Sequence, residues 1–327
     1  MNDSLPNSSS TSSHWLRAAA RHWGCGLLMG AADAIPGVSG GTVALVLGIY
    51  RRLVAAISHF DAEAVQLLLK RQWRALAQRI DFFFLLALGG GVVVGLATFI
   101  ILIHELIADG NPARPYAYAI FFGAIAASSW LVMKLIDAQT TNLRIVSALL
   151  GLGGALFAYW LTGLETLEEV HAAPHLGFTF CCGMVAISAM ILPGISGSYI
   201  LLILGMYHYL SGIPKSLLKG EAVSAELVQF FVFAIGCAVG LIAFSKFLRW
   251  LLYRYEPQTM ALMCGFMVGA MRKLWPWADQ PTIFPASGGE LIGCAAAAIV
   301  AALVVCGADY LTGAEKKIDR AVHEPVK

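Results

Sequence analysis

Pro36-Gly37-Val38-Ser39-Gly40-Gly41-Thr42 interrupts an apolar run, and Pro193-Gly194-Ile195-Ser196-Gly197-Ser198 does so again in the second half of the chain. Proline lacks a backbone donor and glycine leaves the helical basin readily, so neither stretch continues a helix. The surroundings are membrane-like: the 327 residues are 58% hydrophobic and 13% charged, with mean hydropathy +0.73. A broken backbone at membrane depth survives only where protein or a polar cavity satisfies its freed N–H and C=O groups. The expected fold is therefore organised around two elbows.

Outward from the elbows the chain divides into apolar runs. Residues 16–35 lead into the first elbow and 41–58 lead out as one helix. A basic, partly amphipathic connection through residue 80 carries Arg51, Arg52, Lys70, Arg71, Arg74 and Arg79. Runs follow at 82–107, 116–136 and 144–163, then 175–192 and 198–212 around the second elbow, then 227–253, 258–275 and 288–311. At ~1.5 Å per residue, the long runs cross a hydrocarbon core of ~30 Å. Residues 36–50 match 193–207 at an offset of 157 with eight identities in fifteen, and the same series of runs follows both copies. Shared ancestry of the halves accounts for that order.

Each half is one broken hairpin plus three spans. A hairpin adds zero crossings or two, so each half crosses an odd number of times and the second half enters from the opposite face. The expected fold is an all-α polytopic membrane protein of two inverted-topology repeats, each a re-entrant or broken helical hairpin plus three transmembrane helices. The expected divisions are a disordered tail at 1–14, a first repeat at 15–163, an external linker at 164–174, a second repeat at 175–311 and a polar tail at 312–327. With both termini in the cytoplasm, 17 basic residues fall inside and 5 outside, as the positive-inside rule requires. The net charge of +2 points to no nucleic-acid partner. The seven cysteines lie almost wholly in apolar runs and read as small core residues. His171 and His175, behind Glu168 and Glu169, supply too few ligands for a metal and read as a polar loop.

The elbows suit an anion. Small side chains before a helix leave N–H groups, hydroxyls and a positive dipole end accessible, and two such half-helix starts facing one midplane site are what an anion carrier needs. The candidate phosphate-binding residues are Gly37, Ser39, Gly40, Gly41, Thr42, Gly194, Ser196, Gly197 and Ser198. The competing reading is that these glycines only let helices pack closely. Asp33, beside the first elbow, has Met190 as its repeat counterpart. It is a candidate for coupling to a proton or a cation, or else it bonds locally to the backbone. Arg51 and Arg52 reach the cytoplasmic headgroup level, while Arg272 and Lys273 are candidates for headgroup recruitment at the outer level. Tyr50, Tyr207, Trp275 and Trp277 read as interfacial anchors.

Asp33-Ala34-Ile35-Pro36-Gly37-Val38-Ser39-Gly40-Gly41-Thr42 with Leu47-Gly48-Ile49-Tyr50 resembles the signature of the PopT-type polyprenyl-phosphate transporters, once known only as a domain of unknown function. Leu192-Pro193-Gly194-Ile195-Ser196-Gly197-Ser198 with Leu204-Gly205-Met206-Tyr207 resembles their second motif, and Gly265-Phe266-Met267-Val268-Gly269 before Leu274-Trp275-Pro276-Trp277 also fits. The resemblance, over roughly residues 20–310, implies a multi-pass protein of the bacterial inner membrane. Its partner would be undecaprenyl phosphate, returned from the outer to the cytoplasmic leaflet for envelope synthesis. It implies no cofactor, with coupling to a proton or sodium gradient left open. The rival is an undecaprenyl-diphosphate phosphatase, whose Pro-Gly-x-Ser-Arg-Ser motif carries an arginine where this chain has Gly40 and Gly197. Without that arginine the chain is expected not to be an enzyme. A third reading is an ion or small-anion transporter that uses Asp33.

Overall fold

A computed structural model describes residues 8–34, 39–107, 111–164, 174–219, 224–278 and 288–323, and helix is the only regular structure among them. In the first half α1 (Ser8–Asp33) runs to the first break, and α2 (Gly40–Val46) and α3 (Tyr50–Ser58) leave it. The connection contains α4 (Ala62–Leu69) and α5 (Trp73–Arg79), and α6 (Phe82–Ile107), α7 (Arg114–Lys134) and α8 (Thr141–Leu161) complete the half. In the second half α9 (Leu176–Ile191) runs to the break, followed by α10 (Gly197–Ile203) and α11 (Tyr207–Lys219). Then come α12 (Ser224–Arg254), α13 (Glu256–Ala270) with a 3-10 turn over Met271–Leu274, and α14 (Gly288–His323).

The stretch 41–58 is not one helix. α2 and α3 meet at 117°, because Gly48 between them sits at φ 71°, where a side chain would be strained. Gly205 repeats the turn between α10 and α11 at φ 69°. α1 begins at Ser8, inside the stretch expected to be disordered, and α14 continues to His323, past the expected start of the polar tail. Among the described residues, five helices (α6, α7, α8, α12 and α14) are long and apolar enough to span a bilayer. α9, with 16 residues, and α13, with 15, are shorter than the ~20 a straight span needs.

The helix pairing carries the symmetry of the halves. α1 packs along α6 and α9 along α12, the same pair within each half, whereas α7 packs along α14 and α8 along α13, each across the halves. A two-fold relation between the repeats requires this exchange. The correspondence reaches single atoms. A Cβ on Gly91 would lie 2.1 Å from the Trp23 carbonyl oxygen, and one on Gly95 2.2 Å from that of Leu27. Gly236 and Gly240 meet Phe180 and Met184 in the same way, at 2.3 and 2.7 Å. Phe180 and Met184 are Trp23 and Leu27 displaced by the repeat offset. In lipid, such close backbone approach holds helices together where no hydrophobic drive exists between them.

The connection between α3 and α6 is tied by charge. Asp61 caps α4 by accepting the Ala64 N–H at 3.0 Å and also takes Arg79 at 2.7 Å, while Arg79 reaches Glu63 at 2.7 Å.

Candidate functional site

The two elbows are built against each other. Ser39 is the N-cap of α2: its Oγ accepts the Gly41 N–H at 3.1 Å and donates to the Met190 carbonyl at 3.1 Å, with Leu192 at 3.4 Å. The Thr42 hydroxyl oxygen accepts the Gly194 N–H at 3.1 Å. The Tyr50 hydroxyl donates to the Ile191 carbonyl at 3.1 Å. Three side chains of the first half thus satisfy backbone groups freed at the break in the second, which is the condition for broken backbone at membrane depth. Gly194 itself sits at φ +86° with its α-carbon side packed on the backbone of Met267, 2.6 Å from where a Cβ would stand.

The described residues of the first elbow are sealed by these bonds. Ser39 is 1% exposed and Thr42 2%, and Gly40 and Gly41 are buried. The Asp33 carboxylate accepts the Gly40 N–H at 2.6 Å, so the local backbone bond expected as one of its two roles is present. Gly37 lies outside the described residues, as do Ile35, Pro36 and Val38.

The second elbow differs. Ser196 makes no capping bond to α10; its hydroxyl lies 2.8 Å from that of Ser198, which is exposed. Both line a cavity of about 100 Å³ together with Gly194, Thr162, Tyr199 and Lys273. The Lys273 ammonium stands 4.2 Å from the Tyr199 ring centroid. The Tyr199 hydroxyl donates to the Leu161 and Leu164 carbonyls at 3.4 and 3.2 Å, which fixes the ring under the ammonium. Arg272, next in the chain, lies over the Tyr159 ring at 4.5 Å and donates to the Tyr159 carbonyl at 3.2 Å. Gly197 is buried, and a Cβ there would stand 2.5 Å from the Ala186 carbonyl oxygen.

The structure therefore brings Gly194, Ser196, Ser198 and Lys273 to one cavity and turns Ser39 and Thr42 away from it into the contact between elbows. Thr162 and Tyr199 were not singled out from sequence. Thr162 ends a span with no motif around it, and Tyr199 occupies the position of Thr42 in the repeat with a different side chain. Arg51 and Arg52 sit on α3. Arg51 pairs with Glu256. Arg52 grips Asp81 through two nitrogens at 2.6 and 3.0 Å and lies 4.3 Å from the Phe84 ring centroid.

The aromatic assignments change in part. Tyr50 is 1% exposed and is the tie between elbows described above, not an interfacial anchor. Trp277 is 3% exposed with its indole N–H on Glu290 at 2.9 Å, and Trp275 packs edge-on against it and against Phe122. Trp277 belongs to the packed interior, with Trp275 half-buried against it, because the chain after α13 turns back over α7. His175 accepts the Gly177 N–H and so caps α9. Glu165, Glu168, Glu169 and His171 lie outside the described residues, and no cluster of metal ligands occurs among those described.

A family model described as VCA0040-like, undecaprenyl phosphate translocase-like, matches residues 29–292. The chain is 37% identical over 267 residues to a protein of Vibrio cholerae serotype O1 named Polyprenyl-phosphate transporter, covering 82% of this chain and 81% of that one. It is 28% identical over 258 residues to a Staphylococcus aureus protein of the same name, covering 77% and 84%. No solved structure matches the chain.

Proposed function

The chain belongs to the VCA0040-like, undecaprenyl phosphate translocase-like family, and on that premise we propose that it is a polyprenyl-phosphate transporter whose headgroup site is the cavity at the second elbow. The observation that carries this reading is the meeting of the Ser196 and Ser198 hydroxyls with Lys273 at a break in a membrane helix. A phosphate monoester carries more than one negative charge near neutral pH, its second pKa being about 6. Uncompensated, such a group does not enter hydrocarbon. Two hydroxyl donors and an ammonium offset its charge, while the prenyl tail stays in lipid at no comparable cost. The first elbow takes the equivalent part when the halves rock about their two-fold relation: Ser39, Gly40, Gly41 and Thr42 then become the open side, and Gly37 belongs to the same site by its place in the motif.

In this reading the substrate is undecaprenyl phosphate, moved from the outer to the cytoplasmic leaflet of the bacterial inner membrane for reuse in envelope synthesis. Both termini are cytoplasmic, and Lys273 and Arg272 meet the headgroup from outside. Arg51 and Arg52 stand at the cytoplasmic level. Asp33 couples the cycle to a proton or sodium gradient by exchanging its bond to Gly40. The naming of the relatives as transporters supports transport over hydrolysis.

The test is leaflet-resolved transport of undecaprenyl phosphate in proteoliposomes. Lys273→Gln and the double change of Ser196 and Ser198 to Ala are expected to slow exchange at least ten-fold at equal insertion. Wild-type exchange in both would remove the headgroup from this cavity. Phosphate release from undecaprenyl diphosphate by the purified protein would decide for the enzyme instead.

A further inference from the structure

The exchanged helix pairs α7–α14 and α13–α8 are two copies of one packing, and they differ in how one space is filled. Close glycine approaches set the register: a Cβ on Gly123 would stand 2.1 Å from the Ala298 carbonyl oxygen, and one on Gly265 2.0 Å from that of Gly151. In that register Ala119 corresponds to Ala261, Phe122 to Cys264, Cys294 to Ser147 and Trp275 to Met133. In the α7–α14 pair the chain fills the space itself. Trp277 is buried with Ala119 and Cys294, and Trp275 packs on Phe122 at 5.5 Å. In the α13–α8 pair the same position is an open groove of about 650 Å³. Met133, Cys264 and Gly265 line it, Ser147 and Ala148 form its wall, and Asp137 and Arg144 also border it.

Two further features point to a ligand. The Ser147 hydroxyl, on a residue 4% exposed, has no hydrogen-bond partner, although its counterpart Cys294 needs none. Arg144 is fixed at the groove by its Nε, which donates to the Ala138 carbonyl at 2.9 Å. An apolar wall with a guanidinium and a hydroxyl at one end suits a long apolar chain ending in an anion. Arg144 and Thr162 lie on the same helix, ~27 Å apart along its axis at ~1.5 Å per residue. That is close to the hydrocarbon thickness of ~30 Å. The Arg144 end of the groove and the second-elbow cavity therefore stand at opposite leaflet levels of one helix, and the groove runs from the first toward the second as far as Ala155.

We propose that this groove is a second station for polyprenyl phosphate, with the phosphate at Arg144 and Ser147 and the first isoprene units in the groove. The proposal rests on the transport reading above. A phosphomonoester, with its higher charge, gains more from the guanidinium and hydroxyl than the phosphodiester of an ordinary phospholipid does. Lys134, held 5.2 Å from the Trp130 ring centroid, adds positive charge on the same end of α7, against the single carboxylate of Asp137.

A polyprenyl phosphate bearing a diazirine in its first isoprene units, added to proteoliposomes of the full chain, tests this. Irradiation should label residues 147–155 of α8 as well as the second elbow. Excess unlabelled polyprenyl phosphate should abolish the α8 label, and equal phosphatidylglycerol should not. Met133→Trp, which supplies the indole that Trp275 supplies in the other pair, should cut the α8 label at least ten-fold and spare the elbow label. Arg144→Gln should cut it several-fold, with recovery in Arg144→Lys. Displacement by phosphatidylglycerol would make the groove a bulk-lipid contact and overturn the proposal, as would an α8 label unchanged in both Met133→Trp and Arg144→Gln. Label at the elbow alone overturns the groove and leaves the transport reading standing; label at neither overturns both.

Discussion

Asp33 and Gly40 meet across the first elbow at 2.6 Å, and the contact gives each residue a reason. The carboxylate satisfies an N–H that opens α2, and a Cβ on Gly40 would stand 2.7 Å from its second oxygen. Asp33→Ala should lower stability by ~1 kcal/mol, the usual cost of losing a helix cap, seen as an earlier melt in detergent. Asp33→Asn keeps an acceptor at the same place. It should fold and bind lipid while changing the pH or cation dependence of transport; an unchanged dependence at equal expression would leave Asp33 a cap alone. Valine at Gly40 or Gly197 would strike Asp33 or the Ala186 carbonyl before it met any ligand. Those changes report packing, and Ser196, Ser198 and Lys273 are the positions that report the headgroup. Asp33 was legible in the sequence as a carboxylate in an apolar run. A bond from it to nearby backbone was legible too, but not its partner Gly40, because the chain between them has to fold back first.

At the scale of elements, glycine position matters more than glycine content. Gly95 and Gly240 each stand against a neighbouring backbone, whereas a Cβ at Gly89, on the same helix as Gly95, would meet nothing within 4 Å. Leucine at Gly95 or at Gly240 should therefore abolish monodisperse protein on size exclusion, and leucine at Gly89 should leave the yield unchanged. The α4–α5 connection makes a pH prediction. The Arg79 guanidinium, with the Ala64 N–H, holds the Asp61 carboxyl down from its ordinary 3.8 to about 2. A depressed folded pKa means that the stabilisation is complete above the ordinary value and is lost as pH falls through the folded one. Hydrogen exchange at the start of α4 should stay slow from neutral pH to about 4 and quicken between about 4 and 2, after correction for intrinsic rates. Arg79→Gln should move that loss upward, toward the ordinary carboxylate range.

The whole molecule is two repeats locked at their breaks. Its topology is checked by single cysteines in a background lacking the seven native ones. Leu69, 77% exposed on α4, and Ala278, exposed after α13, are suited to this, whereas Ala64 is buried at 6%. Leu69→Cys should react with an impermeant maleimide only from the cytoplasm and Ala278→Cys only from outside. Reaction of both from one face would overturn the inverted arrangement.

By itself the sequence determined that this is a helical membrane protein of two related halves, each broken at a Pro-Gly pair. Those properties follow from local rules: hydropathy over a span, proline's missing donor, and a repeat that aligns with itself. The second-elbow hydroxyls and the cation at Lys273 were also legible, as residue types whose chemistry is their own. Only the tertiary structure decided which hydroxyls face a cavity and which face the other elbow. Ser39 and Ser196 are the same residue in the repeat, yet one is sealed by Met190 and the other opens beside Lys273. It also decided that Tyr50 and Trp277 are interior and that one groove of a symmetric pair stays open. The physical reason is that one copy of the motif supplies the side chains and the other the broken backbone they bond, so the two copies have different environments. Which copy satisfies and which is satisfied depends on partners about 150 residues away, and no window of sequence contains both.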